Sequence, residues 1–193
     1  DIEKVIISLL RDHHEVISGE ELSREFNISR VAIWKHIENL RQIGYKIEAQ
    51  AHRGYRFISA PDRVLAMEIR YGLKTRFIGQ DIRAYEEVSS TNDIALDLAR
   101  GGTKEGTVVI AESQSSGRGR MGRSWFSPSG KGLWASIIFY PELLPNQIGR
   151  MNLVFGVALA EAIKKETSLP VELKWPNDIM VSGKKVGGIL IEM

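Results

Sequence analysis

The sequence predicts an α+β protein built in two parts, and three observations carry that prediction. Residues 1–60 read as three short helices followed by two strand-like runs around a polar turn. Residues 61–193 mix strands and helices without regular βαβ alternation, so a mixed sheet fits better than a doubly wound parallel one. Over 193 residues the apolar share is 43% and the charged share 26%, which makes disorder, collagen and coiled coil poor readings. No apolar run approaches the roughly 18 residues of a membrane span. The longest, 134–140 and 153–160, are the size of a strand or half a core helix, so no membrane partner and a soluble, cytoplasmic protein are expected.

In the first part, Ile2, Val5, Ile6, Leu9 and Leu10 recur at helical spacing. Ser18 can cap a second helix, with Glu21 three residues on in capping-box position and Leu22 and Phe26 on the apolar face. Asn27-Ile28-Ser29 is a turn, and Ser29 can cap a third helix holding Ile33, Ile37 and Leu40, stopped at Gly44. The runs 45–48 and 54–58 complete a winged helix-turn-helix over 1–60. Between Arg24 and Arg56 seven basic residues face three acidic ones, although 1–60 as a whole carries nine of each sign. Arg30 and Lys35 lie early in the third helix, where side chains reach base edges, and Arg53 lies in the wing. The pattern points to DNA; a protein-docking module with a solvated basic face is the other reading. Trp34 is expected to be partly packed, and His13, His14, His36 and His52 lack ligand spacing and read as surface or packing residues. Ser59-Ala60-Pro61-Asp62 marks a boundary, giving parts 1–60 and 61–193.

The second part should open with a helix over 64–73 and a strand over 82–85. Ser89-Ser90-Thr91-Asn92 starts a helix that Gly101-Gly102 ends. Strands are expected at 107–111, 134–140, 171–174, 178–181 and 185–191, with a long apolar helix over 149–164. No cysteine is present, which excludes disulfides, Cys-ligated zinc and a thiol nucleophile. The chain opens Asp1-Ile2-Glu3-Lys4 with no basic-then-apolar leader and no initiator Met, so secretion is not expected and N-terminal residues are expected to be missing.

The chemistry concentrates in two clusters. Gly117, Gly119 and Gly122 satisfy G-x-G-x-x-G, but no apolar helical period follows, so the dinucleotide fingerprint fails; no Walker A occurs either. The stretch 114–131 holds four cations and no carboxylate. Such a loop suits a polyanion such as a triphosphate, because crowded arginines repel unless a ligand supplies negative charge. A mobile solvent loop is the alternative. The second cluster, Lys174-Trp175-Pro176-Asn177-Asp178, presents an amide and a carboxylate at a strand end. Asp178 suits Mg²⁺ or a ribose and Asn177 an adenine or phosphate; a purely structural turn is the other reading. Lys184-Lys185 before Gly187-Gly188 adds cations where backbone can approach a ligand.

Taken together, Ser90-Thr91-Asn92, G-R-G-R-x-G-R at 117–123, K-W-P-N-D at 174–178 and K-V-G-G-I-L at 185–190 resemble biotin protein ligases. The leading winged helix is similar to the bifunctional class that also represses biotin operons. The resemblance implies a biotin/lipoyl ligase-type catalytic domain over 61–193, truncated within a strand at Met193, where family members continue. It implies that biotin and MgATP give biotinyl-5′-adenylate and pyrophosphate, and that biotin then passes to a lysine of a biotin carboxyl carrier domain. By motif, Ser90, Thr91, Asn92 and Gln114 would bind biotin. Arg118, Gly119 and Arg120 would wrap its carboxylate and the adenylate under Trp125. Lys185 would contact the carboxylate and α-phosphate and, with Arg120, act in catalysis. Arg118, Arg120, Arg123, Asn177 and Asp178 would serve the nucleotide, and Asp178 the Mg²⁺. The same resemblance implies operator DNA as a partner and an adenylate-promoted homodimer. A biotin-sensing regulator without ligase activity and a lipoyl-type ligase are the competing readings. The absence of cysteine argues against the similarly folded octanoyltransferases.

Overall fold

The computed structural model describes residues 2–13, 15–144 and 147–193, so His14 lies outside the described residues. The chain forms two compact units, Asp1–Lys74 and Thr75–Met193. In the first, α1 (Ile2–Asp12), α2 (Gly19–Phe26) and α3 (Arg30–Ile43) precede the antiparallel pair β1 (Lys46–Gln50) and β2 (Gly54–Ser59). The capping chemistry works as the sequence predicts. Ser18 accepts from Glu21 N at 3.0 Å and Ser29 from Ala32 N at 3.2 Å, while Asn27 and Gly44 close α2 and α3 at φ 52° and 113°.

One core unites these elements: Ile6, Ile7, Leu10, Leu22, Ile33, Ile37, Leu40, Tyr45 and Ile47 are all buried. Val5, expected on the inner face of α1, is instead 48% exposed. The inward stripe is centred between Ile6 and Leu10, and at 3.6 residues per turn Val5 falls about 120° away from it. A bridge from Ile17 to Tyr55 adds a third short extended segment beside β2, completing the wing.

The expected boundary is at 60/61, but the first compact unit runs on to Lys74. The helix expected over 64–73 shrinks to one short turn, α4 (Ala66–Arg70), and it packs back on α1. Leu65 and Met67 rest on the core. Arg11 makes a two-pronged contact with Glu68 at 2.7 and 2.8 Å, and Tyr45 donates to the same carboxylate at 2.7 Å. The Arg11 guanidinium lies over the rings of Phe57 and Tyr71, 4.8 and 4.2 Å from their centroids. Local sequence shows only a proline breaker; these partners are supplied from elsewhere in the unit.

In the second unit β3 (Ile82–Val88) runs parallel to β4 (Val108–Gln114), with α5 (Thr91–Arg100) as the crossover. β5 (Trp134–Ile137) lies antiparallel on the other side of β4, so this sheet is mixed. Ala95 of α5 packs with Val109 and Ile138, joined by Ile94 and Leu98. The long helix α6 (Ile148–Thr167) accompanies a second sheet, an antiparallel meander of β6 (Val171–Lys174), β7 (Asp178–Val181) and β8 (Lys184–Gly188). β8 ends at Gly188, and one further bond, Ile189 N to Asn177 O at 3.0 Å, continues its pairing with the residue before β7. Among the described residues no helix is long and apolar enough to cross a membrane.

Candidate functional site

β3 and β4 are parallel neighbours in register at Val88 and Gln114, so the segments leaving them emerge on the same side of the sheet. The first segment starts α5. Ser90 is its N-cap residue, yet its hydroxyl does not cap the helix. Gln114 does that from the end of β4: its Oε1 accepts from Thr91 N at 2.8 Å and from Thr91 Oγ1 at 3.1 Å. Its Nε2 donates to Ser127 Oγ at 2.9 Å. From β5, Ser136 Oγ donates to Thr91 Oγ1 at 2.8 Å and also contacts Asn92 Oδ1. Ser90, Thr91, Ser127 and Ser136 are all buried. The result is a buried wall of fixed donors and acceptors, suited to a small polar group.

The second segment is the glycine- and arginine-rich loop. It is a pinned hairpin, not the mobile solvent loop of the alternative reading. Gln114 N bonds Ser127 O at 3.0 Å, Trp125 N bonds Gly117 O at 2.7 Å and Gly119 N bonds Arg123 O at 2.7 Å. One 3₁₀ turn spans Arg120–Gly122, so the G-x-G-x-x-G pattern opens no α-helix, as the sequence indicates. Gly117 is buried at the root of the hairpin.

The acids missing from the loop come from outside it, which corrects the inference that a ligand must supply them. Arg118 grips Asp93 with Nη1–Oδ2 at 2.8 Å and Nη2–Oδ1 at 2.6 Å, and Nη2 also reaches Glu192 at 3.0 Å. Arg120 donates to Asn177 Oδ1 at 3.1 Å. Lys185 pairs with Asp178 at 2.6 Å, and its ammonium lies 5.1 Å from the centre of the Trp125 ring. Asn177 is itself held through Nδ2 to Ile189 O at 3.1 Å. Asp178, expected to serve a metal or the nucleotide, is thus occupied by a cation of this chain.

Hydrogen bonds from Arg118 hold the Asp93 carboxyl below the usual carboxylate range, with Ser89 adding to the effect. A depressed folded-state value means the pair's contribution is complete above the ordinary carboxylate range and is lost only as pH falls through the lowered value. The pair is therefore expected to be unchanged between about pH 8 and pH 5. Asp93 carboxyl-carbon chemical shifts titrating at the ordinary carboxylate value would contradict this.

The hairpin thus brings Ser90, Thr91, Asn92, Gln114, Arg118, Gly119, Arg120, Trp125, Asn177, Asp178 and Lys185 into one constellation. Arg123 is the exception: it contributes its backbone to the hairpin and leaves its side chain exposed. Asp93, Ser127, Ser136 and Glu192 were not legible as site residues. The one available signal was the buried serine, Ser136, in an apolar strand. In the first unit, α3 exposes Arg30 and Lys35 together with Val31 and Trp34, and Arg53 is exposed in the β1–β2 turn. His36 is paired with Glu3 at 3.2 Å, a packing role.

Residues 84–193 match a family model described as the Biotin/lipoate A/B protein ligase family, and residues 3–56 match one described as an HTH domain. The bifunctional ligase/repressor BirA of Bacillus subtilis (strain 168) is 43% identical over 180 residues, covering 93% of this chain and 55% of that protein. The corresponding protein of Escherichia coli (strain K12) is 36% identical over 188 residues, covering 97% and 57%. The chain therefore spans little more than half the length of these curated relatives. Among solved structures, a biotin protein ligase from Aquifex aeolicus in complex with biotin and ATP superposes with TM-score 0.53 at 36% identity, covering 59% of this chain and 47% of that one.

Proposed function

Because the chain belongs to the biotin/lipoate A/B protein ligase family, we propose that it serves as an ATP-dependent biotin protein ligase that also acts as a biotin-responsive transcriptional repressor. One arrangement carries this reading. A single hairpin sets Arg118 against the α5 turn, Arg120 against Asn177 and Trp125 over Lys185. An acid-binding wall and a nucleotide-facing hairpin are thereby joined through cations. The similarity to bifunctional ligase/repressors and to a ligase complexed with biotin and ATP supports the same reading.

In the first step the biotin carboxylate oxygen attacks the α-phosphorus of ATP and the bond to pyrophosphate breaks, leaving biotinyl-5′-adenylate. Two anions must meet, so fixed cations are needed where charge builds. Ser90, Thr91, Asn92 and Gln114 hold the polar head of biotin. Arg118 and Gly119 line its carboxylate, Arg120 and Lys185 face the carboxylate and α-phosphate, and Trp125 covers them and excludes water. Asn177 and Arg123 serve the nucleotide. In the second step a lysine amine of a biotin carboxyl carrier domain attacks the anhydride carbonyl and AMP leaves. No protein nucleophile is needed.

Magnesium commonly binds through one or two carboxylates plus phosphate oxygens and water. Asp178 is the carboxylate that would hold it beside the triphosphate, since it opens its strand next to Asn177 and pairs with Lys185. Held there, the ion would supply charge neutralisation on the phosphates, and Lys185 would then be free of Asp178 to face the substrate.

For repression, Arg30 and Lys35 on α3 approach base edges in the major groove and Arg53 in the wing contacts the backbone. The adenylate promotes a homodimer that reads a two-half-site operator, in a cytoplasmic setting. The deciding experiment is pyrophosphate release from MgATP by this chain, with mass spectrometry for the adenylate. Release that depends on biotin is expected. Release that depends instead on lipoate would favour the lipoyl-type reading, and no release with biotin would favour a regulator without ligase activity.

A further inference from the structure

Among the described residues of the site, Arg118 and Asp93 make a two-pronged contact, and the adenylation chemistry above does not use Asp93. This residue follows Asn92 in the first turn of α5 and presents both carboxylate oxygens to Arg118, at 2.8 and 2.6 Å. Such a contact fixes the plane of a guanidinium as well as its place, which a single hydrogen bond does not. A second contact from Nη2 goes to Glu192 Oε2 at 3.0 Å, and Asn92 Nδ2 donates to that same oxygen at 2.8 Å. A carboxylate oxygen is thus already held in the corner between Arg118 and Asn92, while Asp93 holds Arg118 from the α5 side. An arginine restrained in this way loses less side-chain freedom when it meets an anion than a free one does. Asp93 also balances its charge, so the corner attracts a carboxylate by geometry rather than by excess positive charge.

We propose that Asp93 is a positioning residue for adenylate formation: it orients Arg118 and, through Arg118, sets the affinity for the acid substrate. This rests on the ligase reading above. Asp93 touches no reacting atom. Its loss raises the KM for biotin more than it lowers kcat, because orientation is lost before the cation itself is.

The test uses the full chain with Asp93→Asn, Asp93→Glu, Arg118→Ala and the double variant Asp93→Asn/Arg118→Ala. KM for biotin and kcat are measured by pyrophosphate release, with thermal melts alongside. Asp93→Asn should raise the KM for biotin about tenfold with kcat changed less than about threefold. Asp93→Glu, which keeps a carboxylate within reach, should recover most of that. In the Arg118→Ala background Asp93→Asn should add less than about twofold, since its partner is gone. Multiplicative effects in the double variant, or a glutamate no better than the asparagine, would overturn the proposal. A second measurement does not depend on turnover. The ¹⁵N-coupled Nε–H signal of Arg118 should be sharp in the wild type and in Asp93→Glu and broadened in Asp93→Asn; an unchanged signal in Asp93→Asn overturns the positioning role. A wild-type chain that releases no pyrophosphate with biotin overturns the ligase reading and the catalytic part of this proposal with it, whereas the Arg118 signal still reports whether Asp93 orients that side chain.

Discussion

Replacing Gly117 by alanine is expected to lower biotin-dependent pyrophosphate release by at least about a hundredfold, because displacement of about 1 Å at a positioned group can cost that much. A Cβ at this position would stand 2.5 Å from Trp125 O, 2.7 Å from Ser127 Oγ and 3.0 Å from Gln114 Nε2. None of these is the free end of a flexible side chain. Trp125 O belongs to the hairpin's own backbone, and Ser127 and Gln114 are joined to each other by a hydrogen bond. The root of the hairpin must open, and Gln114 must release either Ser127 or Thr91. Arg118 and Trp125 then lose their places together. The sheet beneath is untouched, so the melting temperature should fall far less than the activity. Activity within about threefold of wild type would show that the hairpin root does not position the loop.

The second large effect is expected in the other unit. Gly54 lies at φ +132°, and a Cβ there would fall 2.0 Å from Ile17 O and 2.6 Å from Ser18 Cα. Ile17 and Tyr55 exchange two backbone hydrogen bonds at this point, 2.9 and 2.8 Å long. Gly54→Ala therefore adds a strained backbone to the loss of two hydrogen bonds, together roughly 3–5 kcal/mol. That is a large part of what holds a small unit together. Ser18 caps α2, so the damage spreads from the wing into the helix-turn-helix. Calorimetry should show the first unit melting early, with DNA binding lost. Adenylation should persist, because every residue assigned to it lies between Ser90 and Lys185. Wild-type melting in Gly54→Ala would mean that the chain at Ile17 yields more easily than its hydrogen bonds suggest.

Local chemistry was enough for most of the fold. The Ser18 and Ser29 caps, the Gly44 stop and the strands at 171–174 and 178–181 all depend on neighbours within a few residues, so they could be read directly. The winged helix followed from them. Membership of the α5 turn, the arginine loop and the 174–178 turn in one site followed from motif resemblance, and the hairpin geometry brings their residues into hydrogen-bonding range.

What could not be read depends on partners far apart along the chain. Arg118 and Glu192 are 74 residues apart, and Arg11 and Glu68 are 57 apart. No spacing rule links such residues, so a loop with no acid of its own looked like one waiting for a ligand. Composition and short-range pattern decided which segments become helices and strands, where they cap, and which cations gather in one loop. Only the tertiary structure decided which carboxylates meet those cations and that residues 61–74 join the first unit. Side-chain pairing requires angstrom-scale placement, and packing of whole elements sets that placement.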